Sequence, residues 1–221
     1  MKNVIFQGQE LTWDELERHE SFRRAEEPIT AAGAGLPDAQ AYVFATRADF
    51  DEWAAEAGVA DRVEAVTHKA EGLKARKATF TDREEEEIRA NAQRLKRSLE
   101  EHVRRTGGRL ASPETLQRWV EEQAAEGRPI DPFVGWDRTN YTGAWMLFSS
   151  GAPRLGPWND WLSSIMMVSA LGMFCEHDWL GGAKLWLFGL PFFGFPDLGT
   201  FALRPGVTWD KQISSFLLFG W

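Results

Sequence analysis

Two hydrophobic periods run along this chain, and they divide it near Ile130. From residue 80 to residue 108, "FTDREEEEIRANAQRLKRSLEEHVRRTGG" places Ile88, Ala92, Leu95, Leu99 and Val103 at spacings of 4, 3, 4 and 4. That is one face of a helix. Thr81 and Glu84 have the spacing of a capping box, so the helix should open there. Acidic residues crowd its start and Arg104 and Arg105 its end, which suits the helix dipole. Thr12 with Glu15 opens another helix in "LTWDELERHESFRR". A short strand from Ala41 to Ala45 should lead into a helix capped by Thr46 with Asp49 and closed at Gly58. Ser112 and Pro113 start a further helix that ends at Gly127. The opening "KNVIFQGQEL" predicts a β-hairpin turning at Gln7–Gly8.

Beyond the link "AEGRPIDP" the pattern shortens. The runs "AWMLFS", "SSIMMVSA", "GMFCEH", "AKLWLFG", "TFALRP" and "SSFLLFG" alternate with Gly, Pro, Asn and Asp. Such runs predict an all-β sandwich. Composition shifts at the same place. Residues 131–221 hold 7 of the 33 acidic residues, 5 of the 25 basic ones and 8 of the 11 tryptophans. The expectation is an α+β two-domain chain, with a helix-rich domain of unknown role over 1–130 and an all-β domain over 131–221. The charged face of the long helix should face water, or else serve as an arm for a partner.

Within the C-terminal segment a short phrase occurs twice. "WNDWLSSI" begins at Trp158 and "WDKQISSF" at Trp209, 51 positions on (209 − 158). Upstream, "FVGWDRTNYTGAWMLF" (133–148) parallels "MFCEHDWLGGAKLWLF" (173–188). Each has an apolar strand, a polar corner, an aromatic residue (Tyr141, Trp179), a glycine two places on (Gly143, Gly181) and a second apolar strand. Two units of four strands suit a double Greek key. These units resemble the βγ-crystallin family. "FCEHDWLGG" looks like its aromatic corner, and "NDWLSS" fits its calcium phrase, Asn/Asp–Asn/Asp–x–x–Ser/Thr–Ser. The resemblance covers about 131–221.

Calcium takes six to eight hard oxygens. The phrases offer the Asp160 carboxylate, the Ser163 and Ser214 hydroxyls, and the backbone carbonyls of Trp161 and Gln212. The resemblance implies two sites, each borrowing one side chain from the other phrase. Ser163 and the Trp161 carbonyl would borrow from position 211, and Ser214 and the Gln212 carbonyl would borrow Asp160. Lys211 is an ammonium where the pattern wants an oxygen, so the first site should fail. The second keeps one carboxylate and should bind Ca2+ weakly, at about 10⁻⁴ M or poorer. The alternative is that both phrases serve only as turns that lead into strands.

Other signals narrow the function. A net charge of −8 argues against a nucleic-acid partner. The runs from 183 to 203 are cut by Pro191 and Pro196, which argues against a membrane span. The opening residues lack an apolar signal core, so a cytoplasmic location is expected, unless a specialised apparatus exports the chain. His19, His68, His102 and His177 are scattered, the single Cys175 should be a buried inert thiol, and no P-loop or GxSxG is present. A non-enzymatic structural or binding protein is expected. Rivals are a protease-inhibitor or toxin-like effector of the same fold, and an enzyme or effector with its chemistry in 1–130. In "LFGLPFFGFPDLG", Leu190, Phe192, Phe193 and Phe195 form an apolar stretch. It would dock on the N-terminal domain, on another copy or protein partner, or on a membrane surface, with protein favoured because no basic residues flank it, or else fold over its own sandwich.

Overall fold

A computed structural model of the chain describes residues 3–33, 41–128, 130–168, 171–189 and 192–219. The chain opens with β1 (Val4–Phe6) and β2 (Gln9–Leu11), paired antiparallel. Gln7 and Gly8 turn between them with φ of 49° and 74°, the left-handed pair that a two-residue hairpin requires. Then come α1 (Trp13–Arg18), α2 (Glu20–Arg24), β3 (Ile29–Gly33) and β4 (Ala41–Phe44). Four longer helices follow: α3 (Arg47–Glu56), α4 (Ala60–Ala75), α5 (Asp82–Thr106) and α6 (Pro113–Ala125). The capping boxes at Thr12 and Thr81 form as expected, and Thr46 and Ser112 cap α3 and α6.

The C-terminal segment contains β5 (Pro132–Arg138), β6 (Thr142–Ser149), β7 (Gly151–Ala152), β8 (Ser164–Met167) and β9 (Leu171–His177). After these come β10 (Gly181–Phe188), β11 (Phe193–Phe195), β12 (Ala202–Arg204), β13 (Val207–Thr208) and β14 (Ser215–Phe219). One sheet has the order β11-β8-β5-β6, and β10-β9-β14-β7 forms the facing half of the sandwich. The third strand of each unit crosses over: β7 pairs with β14, and β11 with β8. This is a double Greek key, and with the helices it makes the chain an α+β protein.

The large sheet does not end at β10. Its full order is β2-β1-β4-β3-β10-β9-β14-β7, so strands of the N-terminal segment extend it. β3 runs parallel to β10, from Ile29↔Lys184 to Gly33↔Phe188. A Cβ on Gly33 would lie 1.4 Å from the Phe188 carbonyl oxygen, so only glycine can close this pairing. The shift in composition near residue 130 therefore marks no break in the sheet.

The layers are helix, sheet, sheet, helix. Between the sheets, the Phe133 ring lies 5.3 Å from Phe148, 5.3 Å from Phe174 and 4.8 Å from Phe216. Phe133, Phe174 and Phe216 are fully buried, and such a side chain contributes about 1.5–3 kcal/mol of burial. On the outer face of the large sheet, α3 and α4 bring Phe50, Val63 and Val66 onto Met173, Cys175 and Trp186. On the outer face of the small sheet, α5 and α6 bring Leu95, Leu99, Leu116 and Trp119 onto Val134, Trp136, Leu147 and Met166. The apolar stripe of α5 is thus a packed face, and its charged side is left to water. Among the described residues no helix is long and apolar enough to cross a membrane.

Candidate functional site

The two Trp-x-x-x-x-Ser-Ser phrases sit in equivalent loops, held by matching hydrogen bonds. The Ser163 N–H donates to Trp136 O at 2.8 Å, and the Ser214 N–H to Cys175 O at 2.9 Å. Ser164 Oγ donates to Arg138 O at 2.7 Å and accepts from the Tyr141 N–H at 3.1 Å. Ser215 Oγ donates to His177 O at 2.6 Å and accepts from the Leu180 N–H at 3.0 Å. The phrases also clasp one another. The Asp160 N–H donates to Ile213 O at 3.0 Å, and the Lys211 N–H to Leu162 O at 2.9 Å. The second serine of each phrase is therefore a fastener for its own hairpin corner.

These bonds correct the register of the corner. Tyr141 is matched by Leu180, not by Trp179, and Gly143 by Gly182, not by Gly181. Asn140 and Tyr141 have φ of 55° and 57°, Trp179 and Leu180 have 61° and 59°, and Gly143 and Gly182 have 83° and 68°. The corner needs two successive left-handed residues and then a glycine one place beyond the next residue, whichever side chain they carry. The aromatic ring that marks the first corner in the sequence is shifted by one residue in the second. Tyr141 packs edge-on against Trp136 at 5.3 Å. Burial pushes the Tyr141 hydroxyl up to about 12.

The two candidate ion sites differ. In the first, Ser163 Oγ donates to Asp137 O at 3.1 Å, so its hydroxyl is engaged inside the fold. Lys211 stands on this half at the position that Asp160 holds on the other, an ammonium in place of an oxygen ligand. In the second, Ser214 Oγ lies 3.3 Å from Asp160 Oδ1, while Asn159 Nδ2 braces Asp160 Oδ2 at 2.7 Å. Asp160, Gln212 and Ser214 border one open depression of about 430 Å³, together with Asn159, Arg154, Gly156, Glu176, His177 and Asp178. Trp161 stays outside it, 42% exposed and edge-on to Trp158 at 4.8 Å.

The phrase alone did not disclose Arg154, Glu176 and Asp178. They come from the β7 arch and the β9–β10 corner, which only the fold brings to Ser214. Burial holds the Asp178 carboxyl above the usual carboxylate range. Arg154 opposes that shift, and the charges of Glu85 and Asp160 add to it. Among the described residues no group of three or more His, Cys, Asp or Glu forms a ready-made metal cluster. A calcium ion here would rely on Asp160, the Ser214 hydroxyl and the Gln212 carbonyl, which are hard oxygen donors with one strong charge.

The aromatic segment divides between its own sandwich and the N-terminal helices. Phe195 is 4% exposed and belongs to the core between the sheets. Phe193 is half-buried against that core, and Phe192 is half-buried against the α5–α6 core. Leu190 lies outside the described residues. The segment is edge strand β11, folded over its own sandwich, and Phe195 is closed to a partner. Cys175 is fully buried and burial pushes its thiol up to about 12, so it is not a nucleophile at neutral pH.

The β-sandwich is similar to several solved structures. A βγ-crystallin from an archaeon shares 24% identity over 40% of this chain and 98% of its own, with a TM-score of 0.33. One from Ciona intestinalis shares 17% identity over 40% of this chain and 99% of its own, with a TM-score of 0.34. A domain from Flavobacterium johnsoniae shares 21% identity over 40% and 93%, with a TM-score of 0.28. The neighbours are βγ-crystallin domains. They cover about 40% of the chain, and the rest is unrecognised. No family model and no curated protein matches the chain.

Proposed function

We propose that the chain is a non-enzymatic binding protein whose βγ-crystallin-like sandwich holds one calcium ion weakly, at the second site. The observation that carries this reading is the inequality of the two serines. Both hydroxyls donate, but Ser163 Oγ donates to a backbone carbonyl, whereas Ser214 Oγ donates to the Asp160 carboxylate, which brings a negative charge to the serine at the edge of an open depression. Asp160, Ser214 and the Gln212 carbonyl hold the ion, and Trp161 and Ser163 do not contact it. A single carboxylate and a solvent-facing site put the affinity at about 10⁻⁴ M or poorer.

The test is thermal unfolding of the full chain with and without millimolar calcium. Wild type should gain stability, and Asp160→Lys should gain none. That substitution is conformationally fair, because Asp160 and Lys211 both sit at φ 55°. An equal shift in the two proteins, or none in wild type, would sink the reading. A second reading, assembly with another copy or a protein partner, draws on the exposed Trp161 beside the site. Sedimentation of wild type and Trp161→Ser checks it: two identical monomers would end the self-association form.

A further inference from the structure

The pseudo-two-fold bonds also pair residues outside the phrases. The Trp179 N–H donates to Pro153 O at 2.7 Å, and the Asn140 N–H to Pro196 O at 2.7 Å. Two residues on, the Leu155 N–H donates to Ser214 O at 2.9 Å, and the Leu198 N–H to Ser163 O at 2.9 Å. The residues between them, Arg154 and Asp197, are therefore equivalents. Charge is exchanged between the two halves. The first half has a cation on the phrase, Lys211, and an acid on the arch, Asp197. The second has an acid on the phrase, Asp160, and a cation on the arch, Arg154.

Arg154 borders the same depression as Asp160 and Ser214. Its Nε lies 3.7 Å from Asp178 Oδ2, and its Nη1 lies 3.5 Å from Glu85 Oε2 on α5. Its guanidinium carbon stands 5.5 Å over the Trp179 ring. These contacts are long and the side chain is 44% exposed, so it is held loosely enough to yield.

We infer that Arg154 is the resident counter-cation of the second site and sets its affinity for divalent ions. This rests on the calcium reading above. In the metal-free protein Glu176 is paired with Arg204, and the Arg154 guanidinium offsets the charge of Asp178 and Asp160. A divalent ion entering beside Ser214 meets that positive charge and must push it aside. Glu85, whose other oxygen pairs with Arg89, gives the displaced guanidinium a second anchor on α5, so occupancy is felt at the first turns of that helix.

The experiment is calcium titration by calorimetry of the full-length wild type, Arg154→Gln and Asp160→Lys proteins at low salt. Removing one unit positive charge from the border of the depression that takes the divalent ion should tighten binding by on the order of tenfold. Arg154→Gln should therefore bind about tenfold more tightly than wild type, with the gain shrinking as salt is raised. Equal affinities, with Asp160→Lys binding nothing, would overturn the counter-cation role and leave the calcium site standing. No binding by wild type or Arg154→Gln would overturn both. A second readout needs no bound ion. In chelator, Arg154→Gln should speed hydrogen exchange at the start of α5, and an unchanged profile there counts against the link to Glu85.

Discussion

The two halves of the sandwich share one backbone plan and differ in what they do with it. In both, a serine ties the phrase to its hairpin corner at 2.6–2.7 Å, and in both the corner is built from two left-handed residues. The side chains over that frame have diverged. Tyr141 fills the first corner where Leu180 fills the second, and Lys211 stands where Asp160 stands. Symmetry has therefore been kept where it holds strands and relaxed where it would hold an ion. A repeated phrase is then strong testimony to architecture and weaker testimony to chemistry, which is decided one oxygen at a time.

The largest expected effect tests the shared frame. Phe133→Ala in one half and Phe174→Ala in the other should each cost about 3–5 kcal/mol in denaturant unfolding, because both rings lie in the same fully buried cluster. A cost in only one half would break the equivalence. Next come the fasteners. Ser215→Ala leaves the buried Leu180 N–H without its partner, for a loss of about 1–3 kcal/mol, and Ser164→Ala, whose bonds to Tyr141 and Arg138 are only part-buried, should cost about 1 kcal/mol. Tyr141→Leu makes the first corner like the second. It should cost about 0.5–1.5 kcal/mol beyond lost area, by removing the contact with Trp136. Smallest in stability is Lys211→Asp, which should change the unfolding midpoint little in chelator yet add calcium-dependent stabilisation. Asp137 and Asp210 each keep a buried carboxylate oxygen without a hydrogen-bond partner among the described residues, so donors stand ready there.

Much of this was legible from residue order. The capping residues Thr12, Thr46, Thr81 and Ser112 announced four helices because capping is a local affair of a few residues. The hairpin at Gln7–Gly8 and both Greek-key hairpins were legible for the same reason. Helix α4 was not: its N-cap is Val59, which makes no side-chain cap, so no start signal exists to be read. Strand β3 was missed because its short run "ITAAG" gains its role only by lying against β10. The union of the two segments into one sheet was hidden in the same way, since parallel pairing leaves no mark on either strand.

At the proposed site, the phrase pointed to Asp160, Gln212 and Ser214 and to Lys211 as a misplaced cation. It could not supply Asp178, which is remote from the first phrase, or Arg154, which lies just upstream of that phrase but reaches Ser214 only through the strand crossover. The aromatic segment was ambiguous for a related reason. Phe193 and Phe195 look like a sticky loop until β8 is placed beside them, and then they are an edge strand with one side in the core.

The central claim is that one half can hold an ion and the other cannot. Calcium stoichiometry of the full-length chain tests it most directly, by equilibrium dialysis at several millimolar free ion. The account predicts a plateau of one calcium per chain, falling to zero in Asp160→Lys. A plateau of two, or one that survives in Asp160→Lys, would contradict it.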